Sequence, residues 1–97
     1  MAGKRTDAHH AYIRDALRAA GVLVFDTSAV GHGYPDLVCG YQGRIIMLEI
    51  KEPAGRLTPA QIEFFERWQG YPVYVVRNLE DAMRIICEGQ NSDAKQL

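Results

Sequence analysis

A stripe of His9, Ile13, Ala16, Leu17 and Ala20 recurs at helical spacing and predicts a helix over about 6–20. Thr6 or Asp7 is placed to cap its start, and Gly21 to end it. Residues 22–25 are short, apolar and β-branched, which predicts a first strand. Residues 28–35 hold two glycines, a histidine and a proline and read as a loop. A second strand is expected over 37–41. Gln42-Gly43 then makes a tight turn into a third strand over 44–51, so the two strands form a hairpin. In that third strand Ile45, Met47, Glu49 and Lys51 alternate with Ile46, Leu48 and Ile50. Apolar residues on both faces predict a central strand covered on both sides.

Thr58-Pro59 opens a second helix to about residue 69, with Thr58 as cap, Pro59 at its first position and Ile62, Phe65 and Trp68 expected inward. Residues 72–76 read as a fourth strand. Asn78 caps a last helix to about 87, with Met83, Ile86 and Cys87 expected to face in. The order is α-β-β-β-α-β-α. A β-α-β crossover after the hairpin makes the last two strands parallel. The expected fold is therefore α/β: a mixed four-stranded sheet flanked by helices.

At 97 residues the chain is read as one domain, 1–97, with residues 1–5 and 89–97 expected to be loose. A hydrophobic content of 47% fits a packed core. No apolar run approaches the roughly 18 residues of a membrane span, and no signal-peptide core follows the charged start. An intracellular, cytoplasmic location is expected. Cys39 and Cys87 lie far apart, with no metal-type spacing, and are expected as free thiols. A net charge of −1 excludes a protein that coats nucleic acid by bulk electrostatics. It leaves room for an enzyme whose acids gather at one point and whose bases spread over a binding face.

Glu49 and Lys51 break an otherwise apolar face at its end, and desolvated charges need a reason. Side chains two apart on a strand project together. Pairing through the Gln42-Gly43 turn sets Asp36 across from them. Two carboxylates at one point suit Mg²⁺ or Mn²⁺, and an adjacent ammonium can offset charge on a reacting phosphate. Thr58-x-x-Gln61 fits a capping box, in which Gln61 bonds back to the start of its own helix.

Gly33-Tyr34-Pro35-Asp36, Gly43-Arg44, Leu48-Glu49-Ile50-Lys51 and Leu57-Thr58-Pro59-Ala60-Gln61 occur in an order that resembles the PD-(D/E)XK nuclease superfamily. More closely, the chain resembles its virus-type replication-repair nuclease (VRR-NUC) family, over roughly residues 9–86. The resemblance implies a restriction-endonuclease-like αβββαβ core. It implies Asp36 and Glu49 as ligands of Mg²⁺ or Mn²⁺, with the backbone carbonyl of Ile50 as a third. Lys51 would be the catalytic lysine, and Gln61 the motif glutamine supporting Lys51 or the phosphate. Stand-alone members of this size resemble small viral or prophage nucleases, which implies a homodimer cutting branched DNA such as four-way junctions.

The family often carries a metal-completing glutamate on the first helix. Here that stretch reads Thr6-Asp7-Ala8-His9-His10, so Asp7, His9 or His10 would have to substitute, with His9 or His10 preferred. Arg44, Arg56, Lys4 and Arg5 are candidate phosphate contacts, and the loop with His32 and Gly33 is placed to approach a DNA backbone. The alternative function is a non-catalytic nucleic-acid-binding module on the same fold.

Overall fold

The computed structural model describes residues 4–88, with side chains from Ala8 onward. The expected loose residues 89–97, residues 1–3, and the side chains of Lys4, Arg5 and Asp7 lie outside the described part. Helix α1 spans Lys4–Ala19, strands β1, β2 and β3 span Leu23–Asp26, Leu37–Tyr41 and Arg44–Ile50, helix α2 spans Pro59–Arg67, β4 spans Val73–Val76 and α3 spans Leu79–Glu88. Thr6 and Asp7 therefore fall inside the first helix rather than capping it. The Lys-Arg pair ahead of them suits helix, and the helix is already formed at Lys4.

The strands make one sheet in the order β1-β2-β3-β4. β1–β2 and β2–β3 are antiparallel, and β3–β4 is parallel, as the crossover requires. Gln42 and Gly43 both adopt positive φ, at 51° and 79°, which gives a two-residue turn whose twist matches that of the strands. This turn fixes the register that sets Leu37 against Leu48 and carries Asp36 to the level of Glu49.

The two sheet faces are unequally covered. Val24, Leu37, Cys39, Ile46, Leu48, Ile50, Tyr74 and Val76 pack against Ile13 and Leu17 of α1 and Ala82 and Ile86 of α3. On the opposite face the cover is uneven. Met47 and Val73 are buried there, but Leu23, Phe25 and Ile45 stand about half exposed or more. The expectation that β3 is covered along both faces thus holds at its C-terminal half and fails at Ile45.

Two inward assignments are corrected. No residue of α2 is buried: Ile62 is 42% exposed, and Phe65 and Trp68 are only partly covered. The helix lies against the sheet mainly by its first turn, and its aromatics pack on one another instead. Phe64 stacks on Trp68 with centroids 4.9 Å apart, and Tyr34 meets both edge-on. In α3 the buried pair is Ala82 and Ile86, four apart, which leaves the neighbouring Cys87 exposed. Met83 does pack against the core.

Candidate active site

Asp36 leads into β2 and Glu49 lies near the end of β3. The loop before Asp36 is set by its glycines. Gly31, His32 and Gly33 all take positive φ, and a Cβ on Gly33 would collide with the carbonyl of Ala60. Only glycine lets this loop lie so close to the start of α2. Thr27 completes the seating: its hydroxyl donates to the Pro35 carbonyl at 2.8 Å, and its N–H donates to the Asp36 carbonyl at 2.8 Å. Asp36 is tied across to β3, where its Oδ2 accepts the Ile50 N–H at 2.8 Å.

Glu49 is 1% exposed, the single buried charged residue among those described. Its Oε2 accepts from Gln61 Nε2 at 2.8 Å and lies 3.8 Å from Lys51 Nζ. Its Oε1 is buried with no hydrogen-bond partner. Burial first, and the neighbouring Asp36 carboxylate second, push the Glu49 carboxyl from its ordinary 4.5 up to about 8, against the pull of Lys51. Two carboxylates with one ammonium between them thus remain short of positive charge.

Gln61 closes its capping box and also bonds Glu49, where the sequence resemblance implied support of Lys51 or the phosphate. Its Oε1 accepts the Thr58 N–H at 2.8 Å while the Thr58 hydroxyl accepts the Gln61 N–H at 3.2 Å, which closes the capping box. The same amide donates to Glu49 from its nitrogen. The cap therefore fixes which end of the amide faces the acid.

A cavity of about 480 Å³ joins Asp36, Glu49, Lys51 and Gln61 to His9, His10, Arg14 and Asp26. His9 Nε2 lies 3.1 Å from the Lys51 carbonyl, and His10 Nε2 lies 3.1 Å from Asp26 Oδ2. Asp26 also accepts from Arg14 and Ser28, which hold its carboxyl far below the usual range against the opposing effect of burial. Sequence reasoning passed over Asp26 and Arg14. The only signal was an acid at the end of a short apolar strand.

The basic candidates separate. Arg44 opens β3, at the opposite end of the strand from Glu49, and its guanidinium donates to the Ile86 carbonyl at 2.7 Å, closing the end of α3. It is not in the cavity. Arg56 is exposed on the loop after Lys51. That loop is clamped from beneath by Arg77, which donates to the carbonyls of Glu52, Pro53 and Gly55. His32 is exposed and lines a neighbouring hollow with Phe64, Arg67 and Trp68.

The residues present fit a divalent cation. An orphaned carboxylate oxygen, a second carboxylate beside it and an acid raised by burial and by that neighbour are what a hard cation relieves. Among the described residues no three His, Cys, Asp or Glu side chains gather as a ligand set, so main chain, water or substrate would complete the shell.

Neither a protein-family model nor a curated protein matches this chain. A solved structure described as a VRR_NUC domain does, with a TM-score of 0.67 and 27% identity, over 87% of this chain and 96% of that one. No helix among the described residues is long and apolar enough to cross a membrane. In fold as in its sequence motifs, the chain is similar to a VRR_NUC domain, with the four-stranded mixed sheet and flanking helices of that nuclease fold.

Proposed function

We propose that this chain is a metal-dependent DNA endonuclease that hydrolyses phosphodiester bonds in branched DNA such as four-way junctions. The observation that carries the reading is Glu49 Oε1, buried without a partner beside Asp36 and Lys51. Asp36, Glu49 and the Ile50 carbonyl would hold Mg²⁺ or Mn²⁺. When bound, the ion supplies polarisation of the scissile phosphate and a lowered pKa for a water. Lys51 contributes an ammonium that offsets charge developing on the phosphate. Gln61 holds Glu49 in orientation through its capped amide. Arg56, His32, Gly33, Lys4 and Arg5 are the candidate contacts to the DNA backbone.

The substrate preference and the homodimer belong to this proposal. The bare apolar surface of Leu23, Phe25 and Ile45 supports a second copy on that face, since monomers seldom leave such a patch on a sheet.

The test is cleavage of a labelled four-way junction beside linear duplex and single strand, under Mg²⁺, Mn²⁺ and EDTA. Metal-dependent cutting of the junction that Asp36→Ala, Glu49→Ala and Lys51→Ala each abolish is the expected result. Binding without cutting in either metal would favour a non-catalytic binding module. Light scattering of Phe25→Glu beside the parent chain reads the dimer.

A further inference from the structure

Lys51 sits one residue past the end of β3, where the strand ladder no longer holds the chain. Its main chain is nonetheless fixed on both sides. Its N–H donates to the Val76 carbonyl of β4 at 3.0 Å. Its carbonyl lies 3.1 Å from His9 Nε2 on α1. A carbonyl oxygen has no proton to give, so the ring nitrogen is the donor, and the hydrogen sits on Nε2.

The placement of His9 follows from helix packing. His9, Ile13 and Leu17 are four apart, and the last two are fully buried in the core. The face that seats α1 on the sheet therefore also carries His9 to the end of β3. His10, one position on, points to Asp26 instead.

We propose that His9 is a positioning residue for Lys51, holding the carbonyl of Lys51 so that its ammonium stays beside Glu49 and faces the cavity. The inference rests on reading Lys51 as the cation that acts on the phosphate. It gives the first helix a part in the site different from metal ligation, because the Nε2 that reaches the site is committed as a donor. Releasing the carbonyl frees rotation at Lys51 itself, ahead of the loop that Arg77 holds. A displacement of about 1 Å in a reacting group is enough to cost of the order of 100-fold in rate.

The experiment uses the whole chain and the variants His9→Ala and His9→Gln. Gln presents an amide donor at similar reach, so it should keep the tether. Three quantities are read: single-turnover cutting of a junction at saturating Mn²⁺, the affinity of the DNA-free protein for Mn²⁺ by calorimetry, and the reductive methylation rate of the Lys51 amine by mass spectrometry. For His9→Ala the expected result is a rate roughly 10- to 100-fold lower, Mn²⁺ affinity within about twofold of the parent, and severalfold faster methylation of Lys51. His9→Gln should recover most of the rate and the slow methylation.

A His9→Ala chain that loses Mn²⁺ affinity tenfold or more and regains its rate at higher Mn²⁺ would overturn the proposal in favour of a ligand. So would a folded His9→Ala chain with parental rate and parental Lys51 methylation. A parent chain that cuts nothing would defeat the nuclease reading alone, because methylation still reads the tether.

Discussion

Replacing Glu49 by Gln should leave the metal-free protein more stable than the parent at alkaline pH, and no more stable in acid. Glu49 titrates near 4.5 in an unfolded chain and is pushed up to about 8 in the fold. Below 4.5 both states hold the proton, and the neutral carboxyl costs the fold little. Between 4.5 and about 8 the unfolded chain gives up its proton while the native one keeps it, so stability falls as pH rises. Above about 8 the loss is complete and the curve levels. At about 1.4 kcal/mol per pKa unit the shift, which already includes the pull of the Lys51 ammonium 3.8 Å away, is worth about 2 to 5 kcal/mol. Gln is close in shape to the protonated acid and cannot ionise, so its curve lacks this fall. Asp26 and every other shifted group are common to both chains, so the difference between their curves isolates Glu49. Thermal melts in EDTA from pH 5 to 9 should start together and part by about 10 °C or more in a domain of this size. Added Mn²⁺ at a hundred times its Kd should return about 2.7 kcal/mol to the parent and nothing to Glu49→Gln. Melting curves that run parallel from pH 5 to 9 would show that the buried carboxyl is not raised and would remove the basis for a cation there.

Thr58→Val should cost about 1 kcal/mol in chemical denaturation through loss of the cap, and cutting should fall further than stability does because Gln61 is released from its orientation toward Glu49. Gly33→Ala meets both a positive φ and the Ala60 carbonyl, so a loss of about 2 kcal/mol or more is expected in the same assay. Arg77→Met strands three carbonyls of the loop after Lys51 and should lower stability by about 2 kcal/mol, with faster proteolysis at residues 52–56. Burial raises the Cys39 thiol to about 12 while Cys87 is exposed, so a thiol reagent at pH 8 should modify one cysteine quickly and the other only on unfolding.

The hairpin and the acid pair were legible because local chemistry dictates them. Gln42-Gly43 can hardly form anything but a tight turn, and once it does, pairing carries Asp36 to Glu49. Thr58-Pro59 marked the start of its helix to the residue. The second helix was misjudged because apolar spacing shows which side of a helix is apolar, not whether a sheet lies beneath it. Ile62 and Phe65 have the spacing of core residues and reach only a partial cover. Cys87 shows the same limit at one residue: Ile86 takes the inward position, and the turn of about 100° to the next residue carries Cys87 out to solvent. Arg44 looked like any basic residue on a binding face, since nothing local reveals that α3 ends beside it. Nor does sequence reveal the orphaned oxygen of Glu49, which depends on three elements meeting. At Gln61 the motif made the capping box legible, while the bond from its amide to Glu49, rather than to Lys51, depends on the meeting of α2 with β3.

That double engagement has a bearing on how the protein opens. α2 buries none of its own residues, and its attachment is made by a cap, a cluster of half-exposed rings and one amide on a buried acid. Such an element belongs to the low-stability end of a fold and should exchange its amide hydrogens before β2 and β3 do. Anything that tightens Glu49 also tightens the helix that Gln61 begins. Occupancy of the cavity is thereby linked to the local folding of α2, and the slowing of exchange along residues 59–67 becomes a gauge of binding that needs neither cleavage nor a label.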